Sequence, residues 1–304
     1  MFLRSVRGFS VSATARSSYE HNVRNTVSHI HSLYREQTPI SMVTAYDYMT
    51  SRMNDAAGVD ITLVGDSLAN TTLGYRDTNE LSLEEMLFHV RSVRRGSARA
   101  LLVADMPFGS FETSLEQATE TSIKLVKAGV QAVKIEGGDD RILATIEKLL
   151  SVGIPVMGHL GLTPQRHNAM GGYRLQGASV ESAEAILQAA HNLQDAGVFS
   201  MVLECIPTQL AKIITQSLDV PTIGIGAGHF TSGQVLVNAD LLGMQSGPVP
   251  RFAHKYANFF DIGVQGLKEY TEQVKNRSFP TPDHGYKIKK DVLEKLKENI
   301  SMKL

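Results

Sequence analysis

Five apolar runs in this chain break off on an ionisable side chain. ITLVGDS ends on Asp66 and Ser67, LLVADMPF on Asp105, AVKIEGG on Glu136, IPVMGHLG on His159 and SMVLECIP on Glu204. A strand that reads as buried has no use for a terminal carboxylate unless that end faces a site. Side chains alternate along a strand. Val103 therefore shares a face with Asp105, Lys134 with Glu136, and Val202 with Glu204. If those faces look into one cavity, several carboxylates and one ammonium meet there. Unpaired, they would be desolvated at a cost of several kcal/mol. A divalent cation removes that cost. Asp66, Asp105 and Glu136, completed by water, form a hard-oxygen set suited to Mg2+ or Mn2+. His159 offers the only nearby nitrogen, which argues against a three-histidine zinc site. Glu204 lies between Leu203 and Cys205, where burial would raise its pKa toward that of a general base. Lys134 is placed to pair with an anionic substrate group or with Glu136. Ser67 can donate to a substrate carboxylate. Cys205 has no cationic neighbour in sequence to activate its thiol. His89, in the middle of EEMLFHVRSVRR, reads as packing.

Such distant positions converge only if parallel strands deliver them to one rim. Strands are expected at 40–46, 60–66, 100–105, 132–136, 154–159, 199–204 and 221–225, with a weaker one at 240–244. The first seven are continuous and rich in Val, Ile and Leu, the pattern of strands covered on both faces. Helical segments separate them. Ser82 with Glu85 opens one with a capping box, Ser114 with Gln117 opens another, and Ser182 is expected to cap a third. Gly129, Gly153 and Gly197 stand at helix ends. Eight β-then-α units predict an α/β fold of the (β/α)8 TIM-barrel type, with active groups at the C-terminal ends of the strands. The alternative, an open doubly wound sheet, normally shows a glycine fingerprint after its first strand. TAYDYMTSRM follows here without a glycine. NTVSHIHSLYREQ reads as a helix at the lower mouth of the barrel. TIGIGAG, at 222–228, could cradle a phosphate or let a bulky substrate approach the backbone.

The 304 residues carry a formal net charge of −1, which gives no electrostatic case for nucleic acid or an anionic membrane. No run reaches the roughly 18 apolar residues of a membrane span. A single cysteine excludes an internal disulfide framework and fits a reducing compartment. Residues 1–25 differ from the rest. They carry Arg4, Arg7 and Arg16, are rich in serine, and have no acid before Glu20. This predicts a mitochondrial transit peptide cleaved near Arg16, and hence a matrix protein. The catalytic barrel is expected over 26–278. The segment 279–304 reads as a tail with a short amphipathic helix carrying Val292, Leu293, Leu296 and Ile300.

The segments TAYDY, LVGDSL, VRRG, DMPF, VKIEGG, GHLGLTPQ, GGYRLQG, LECIP and IGIGAG together resemble the ketopantoate hydroxymethyltransferase family, over about residues 38–270. That family is similar to the phosphoenolpyruvate/pyruvate barrel superfamily. The resemblance implies transfer of a one-carbon unit from 5,10-methylenetetrahydrofolate to 3-methyl-2-oxobutanoate through a metal-stabilised enolate, on the route to pantothenate and coenzyme A. It implies Asp66 and Asp105 as ligands of Mg2+, with Glu136 close by toward metal-bound water. Ser67 and Lys134 fall on keto-acid contacts, His159 on a substrate-side position, and Glu204 on the base. It also implies a homo-oligomer, a decamer in bacterial relatives. A C–C lyase or phosphomutase of the same superfamily is the alternative enzyme. Such sites use a cysteine on a flexible loop, whereas Cys205 sits at a strand end. A non-catalytic barrel scaffold is the remaining alternative, and the rim carboxylates argue against it.

Overall fold

The computed structural model describes residues 24–301, apart from 173 and 248. Most of the expected transit segment, 1–25, lies outside the described residues. Its last two positions are tied to the fold. Arg24 donates to the Ala100 carbonyl at 2.8 Å, and the Asn25 amide donates to the Arg99 carbonyl. The described residues form two compact units. One runs through Asp240 and includes Val249–His254; the other takes the remainder from Leu241 on.

The first unit opens with α1 (Val27–Arg35), capped by Thr26. It then alternates strand and helix. The succession is β1 (Ile40–Thr44), α2 (Tyr48–Ala56), β2 (Ile61–Val64), α3 (Leu68–Thr71), α4 (Leu83–Gly96), β3 (Leu101–Asp105) and α5 (Leu115–Ala128). It continues through β4 (Ala132–Glu136), α6 (Asp140–Ser151), β5 (Val156–Gly161), α7 (His167–Met170), α8 (Val180–Asp195), β6 (Ser200–Glu204), α9 (Thr208–Ser217), β7 (Thr222–Ile225) and β8 (Gly233–Leu236). The strands close in chain order into a parallel barrel, with β8 pairing β1.

Strand parity sorts the core into two layers. Ile40, Met42, Ile61, Leu101, Val103, Ala132, Met157, Val202 and Ile223 fill the barrel, and Ile30 of α1 plugs this cluster. The alternate residues, among them Val64, Leu102, Ala104, Val133, Ile135 and Leu203, face the helices. Burying each large aliphatic side chain contributes about 1.5–3 kcal/mol. The helices obey the same logic. In α4 the Ser82–Glu85 capping box starts the helix, and Met86, Leu87, Val90 and Val93 recur at helical spacing on its buried face.

Two expectations change. The eighth strand lies at Gly233–Leu236, not at 240–244, where a short helix, Asn238–Leu241, begins instead. GQVL carries little apolar signal because Gln234 is exposed and Gly233 is required. A Cβ at Gly233 would stand 2.3 Å from the Ile40 carbonyl oxygen. The helix expected to start at Ser182 starts one turn earlier. Ser179 is its cap, and Ser182 is the third helical residue of the same capping box.

The second unit holds the helix Phe259–Lys275 and the expected tail helix, Lys290–Ser301.

Candidate active site

Register brings the charged strand ends together. Asp105 on β3 pairs Lys134 on β4, Glu136 pairs His159 on β5, and Gly161 pairs Glu204 on β6. Inward parity, set by Val103, Ala132, Met157 and Val202 in the layer below, turns all these side chains into the barrel mouth. Asp66 arrives differently. The chain leaves β2 at Gly65 and turns into α3, and the Asp66 amide donates to Asp105 Oδ2 at 2.9 Å. Asp66, Asp105, Lys134, Glu136 and His159 are buried, while Glu204 keeps a partly open side chain.

The contacts form one chain. Lys134 Nζ lies 2.9 Å from Asp105 Oδ1 and 3.1 Å from His159 Nδ1. His159 Nδ1 lies 3.5 Å from Glu136 Oε1, and Nε2 lies 3.1 Å from Glu204 Oε2. Four carboxylates thus face one ammonium and one imidazole. Burial, and then the Asp105 and Glu136 charges, hold the Asp66 carboxyl well above the usual carboxylate range. Burial opposes the charge on Lys134, but Asp105, Glu136 and Asp66 outweigh it and raise the ammonium above its ordinary value. Burial also opposes ionisation of Glu136, and there His159 and Lys134 win and lower it. For His159, burial and Lys134 act against a charged ring, while Glu136 and Glu204 lift it to about 9. A charged ring would set Nδ1–H against the Lys134 ammonium. The Nε2–H tautomer fits the geometry better: Nδ1 accepts from Lys134, while Nε2 lies 3.1 Å from Glu204 Oε2 without a formed hydrogen bond.

The arrangement suits a divalent cation. Were all four carboxyl groups ionised, two negative charges would stay unbalanced even with His159 protonated. Glu136 Oε1 is buried without a hydrogen bond, and Asp105 Oδ1 meets only the Lys134 ammonium. Among the described residues no three His, Cys, Asp or Glu side chains form a ready cage, so Asp66, Asp105 and Glu136 are not preassembled as a three-ligand set. Two aspartates with water and substrate oxygens are an ordinary donor set for Mg2+. Asp66 and Asp105 are the pair that could hold one.

Two further residues were hidden in motifs noted only as segments. Gln165, in GHLGLTPQ, donates through Nε2 to Asp66 Oδ2 and to the Met106 carbonyl, both at 2.9 Å. Its backbone amide donates to Glu136 Oε2 at 3.0 Å. Tyr46, in TAYDY, is buried with its hydroxyl 2.7 Å from Ser67 Oγ. Burial pushes this phenol up to about 12, against the opposing effect of the nearby Ser67, Thr44 and Thr71 hydroxyls. Nothing in the local pattern distinguished either residue from ordinary loop or core.

The charged floor opens into a cavity of about 840 Å3 whose wall includes Ser67, Leu162, Arg174, Ile206 and Phe252. Its size exceeds that of a small keto acid and leaves room for a second, larger molecule. Gly226 and Gly228 of TIGIGAG have positive φ, and Cβ atoms there would meet the Phe252 ring at 2.9 Å and Thr208 at 2.4 Å. Close packing of the wall explains these glycines. Cys205 lines the cavity, and burial with the Glu204 charge pushes its thiol up to about 11, away from nucleophile chemistry. His89 is a packing residue, as expected, with Nδ1 on the Tyr46 carbonyl.

A family model described as ketopantoate hydroxymethyltransferase matches residues 24–282. An Emericella nidulans protein named 3-methyl-2-oxobutanoate hydroxymethyltransferase is 48% identical over 271 residues, covering 88% of this chain and 77% of its own. The Arabidopsis thaliana 3-methyl-2-oxobutanoate hydroxymethyltransferase 1, mitochondrial, is 45% identical over 274 residues, covering 88% and 79%. Among solved structures, a phosphonopyruvate hydrolase in complex with oxalate and Mg2+ shares the fold. Its TM-score is 0.56 at 12% identity, covering 91% of this chain and 96% of that one.

Proposed function

Because this chain belongs to the ketopantoate hydroxymethyltransferase family, we propose that it transfers a hydroxymethyl unit from 5,10-methylenetetrahydrofolate to 3-methyl-2-oxobutanoate, giving 2-dehydropantoate for pantothenate synthesis. The observation that carries this reading is the meeting of Asp66, Asp105, Lys134 and Glu204 at the floor of one cavity. Asp66 and Asp105 would hold Mg2+ or a similar cation, with Glu136 ordering the water around it. That cation, when bound, polarises the ketone and acidifies the neighbouring C3–H.

The chain's own groups supply the rest. Ser67 and Lys134 hold the keto acid by its anionic end, which fixes C3 relative to the floor. Glu204 takes the C3 proton. His159, 3.1 Å from the Glu204 carboxylate, orients that carboxylate and receives an ordering contact from Lys134 in turn. Deprotonation gives an enolate carbon that bonds to the methylene carbon as one of its two folate C–N bonds opens. Water then replaces the other C–N bond, leaving the hydroxymethyl group on the keto acid and releasing tetrahydrofolate. The wider part of the cavity accommodates that second substrate. A thiol-dependent lyase or mutase fits less well, given the elevated thiol of Cys205.

Glu204→Gln should abolish exchange of the keto acid's C3 hydrogen with deuterium oxide, followed by proton NMR, while calorimetric Mg2+ binding persists. Retained exchange would remove Glu204 from this role and take the enolate scheme with it.

The arginine-rich, acid-poor start of the chain, together with the name of the plant relative, supports a matrix location. Exposed Phe259, Phe260, Ile262 and Leu267 on a helix with no buried residue support assembly into a homo-oligomer.

A further inference from the structure

We propose that Arg174 and Arg251 form a cationic clasp at the rim of the cavity that holds the acidic tail of the folate co-substrate. This rests on the reading of 5,10-methylenetetrahydrofolate as the one-carbon donor, and adds how the chain recognises the far end of that molecule. Burial grades the wall from floor to mouth. The floor is charged and buried. Leu162 and Ile206 are buried apolar wall, while Phe252 and Leu175 line the same cavity with 38% and 57% of their surface exposed. Arg174 and Arg251, each next in sequence to one of that exposed pair, line the cavity and are exposed themselves.

Both arginines are carried by fastened segments, and the fastenings are neighbours. The Gln176 amide donates to the Cys205 carbonyl at 2.9 Å, and Gln176 Nε2 donates to the Arg174 carbonyl at 3.0 Å, which ties the Arg174 backbone to the end of β6. Arg251 and Phe252 are the corner residues of a turn closed by the Ala253 amide on the Pro250 carbonyl at 2.9 Å. The Phe252 ring packs on Gly226, just past β7. The ends of β6 and β7 are themselves joined, by the Cys205 amide donating to the Ile225 carbonyl at 2.9 Å. The two guanidiniums therefore rise from one sector of the rim.

Other arginines of this unit are committed. Arg166 meets Asp139 at 2.8 Å, and Arg24 meets the Ala100 carbonyl at 2.8 Å. The guanidiniums of Arg174 and Arg251 have no hydrogen bond or ion pair among the described residues. Outside the floor, Asp240 is the one acid among the described residues lining the cavity, so the arginines leave this part of the wall with an excess of positive charge. Guanidiniums beside an apolar belt suit a ligand with a flat apolar body that ends in carboxylates. A folate has that order. Its one-carbon unit bridges N5 and N10, an aromatic ring follows N10, and the carboxylates stand beyond the amide that follows the ring. With the methylene carbon over the floor, the ring lies along the apolar wall and the carboxylates reach the rim.

The test uses the full chain with Mg2+ and 3-methyl-2-oxobutanoate. It compares KM for 5,10-methylenetetrahydrofolate with KM for 5,10-methylenetetrahydropteroate, which keeps the pterin and the aromatic ring and lacks the glutamate. An exposed charge pair contributes up to about fivefold in affinity, and a second one brings the total to roughly twentyfold. The wild-type ratio of the tail-less KM to the glutamylated KM should lie well above unity within that range, and shrink as salt is raised. Arg174→Gln and Arg251→Gln should each close part of the gap, and the double variant should bring the ratio to about unity. Arg174→Lys and Arg251→Lys should retain part of it, and keep the test available should a glutamine variant not fold. Arginines that merely shape the wall would instead raise both KM values alike and leave the ratio intact. That result, or a wild-type ratio near unity, overturns the clasp alone. A wild-type chain that exchanges the C3 hydrogen of the keto acid yet forms product from neither folate overturns the donor reading and the clasp together.

Discussion

Gln165→Met is a substitution of similar volume that removes two buried donors at once. Asp66 Oδ2 and the Met106 carbonyl each accept from Gln165 Nε2 at 2.9 Å, and the glutamine is buried. A buried carboxylate that loses a donor costs about 1.5–3 kcal/mol, and a buried carbonyl about 1 kcal/mol. The backbone bond from Gln165 to Glu136 survives the change. The expected cost is therefore about 3 kcal/mol, on the metal-free protein. For a domain of this size each kcal/mol moves the melting temperature by roughly 2–4 °C. Calorimetric or circular-dichroism melting should thus fall by roughly 6–12 °C. Because more than half of the cost belongs to the Asp66 carboxyl, the added substitution Asp66→Asn should recover several degrees. A shift under about 2 °C, or no recovery in the double variant, would refute the assignment of Gln165 as the donor that holds Asp66 in place.

Two other outcomes follow from local geometry. Gly161→Ala should cost at least about 2 kcal/mol and lose C3 exchange, because the backbone there has φ 93° and a Cβ would stand 2.1 Å from the Glu204 carbonyl oxygen. Exchange at the wild-type rate in that variant would contradict the placement of Glu204. Asp139 tests the pH dependence. Burial works against its ionisation, but Arg166, at 2.8 Å, and backbone amides of α6 outweigh it and hold the carboxyl below its usual value. A depressed acid stabilises the fold above its unfolded pKa of about 3.9 and loses that contribution as pH falls through its folded value. The pair is well exposed, so solvent screening limits its worth to under about 1 kcal/mol. Urea midpoints of Asp139→Asn should lie slightly below wild type at pH 6 and converge with it in strong acid; a gap that widened on acidification would reverse the sign.

Seven of the barrel strands were legible because each is an unbroken branched-aliphatic run between turn residues. β8 was not, because Gly233 and exposed Gln234 dilute its pattern, and what requires the glycine is the approach of β1, nearly two hundred positions earlier. The charged site residues announced themselves by parity, an ionisable group two places beyond an apolar one. Asp66 followed no such rule, being carried inward by the turn after Gly65. Gln165 and Tyr46 were illegible for a related reason. Gln165 meets Asp66 across 99 positions, and a glutamine in a loop or a tyrosine after a strand carries no sign of which distant group it will touch. Sequence pattern exposes residues whose own chemistry conflicts with their surroundings. It does not expose the neutral groups that resolve the conflict.

The barrel rim is divided in a way that bears on how this enzyme could be altered. The floor groups Asp66, Asp105, Lys134, Glu136, His159 and Glu204 occupy an unbroken arc from β2 to β6, whereas strands β7 and β8 themselves contribute uncharged wall, through Ile225 and Val235, with Asp240 and Arg251 lining the cavity from beyond β8. Reaction type and substrate shape are thereby written on separate sectors of one circle. Trimming or enlarging Ile225 and Val235 offers a route to bulkier or smaller keto acids that leaves every proton-handling group where it stands.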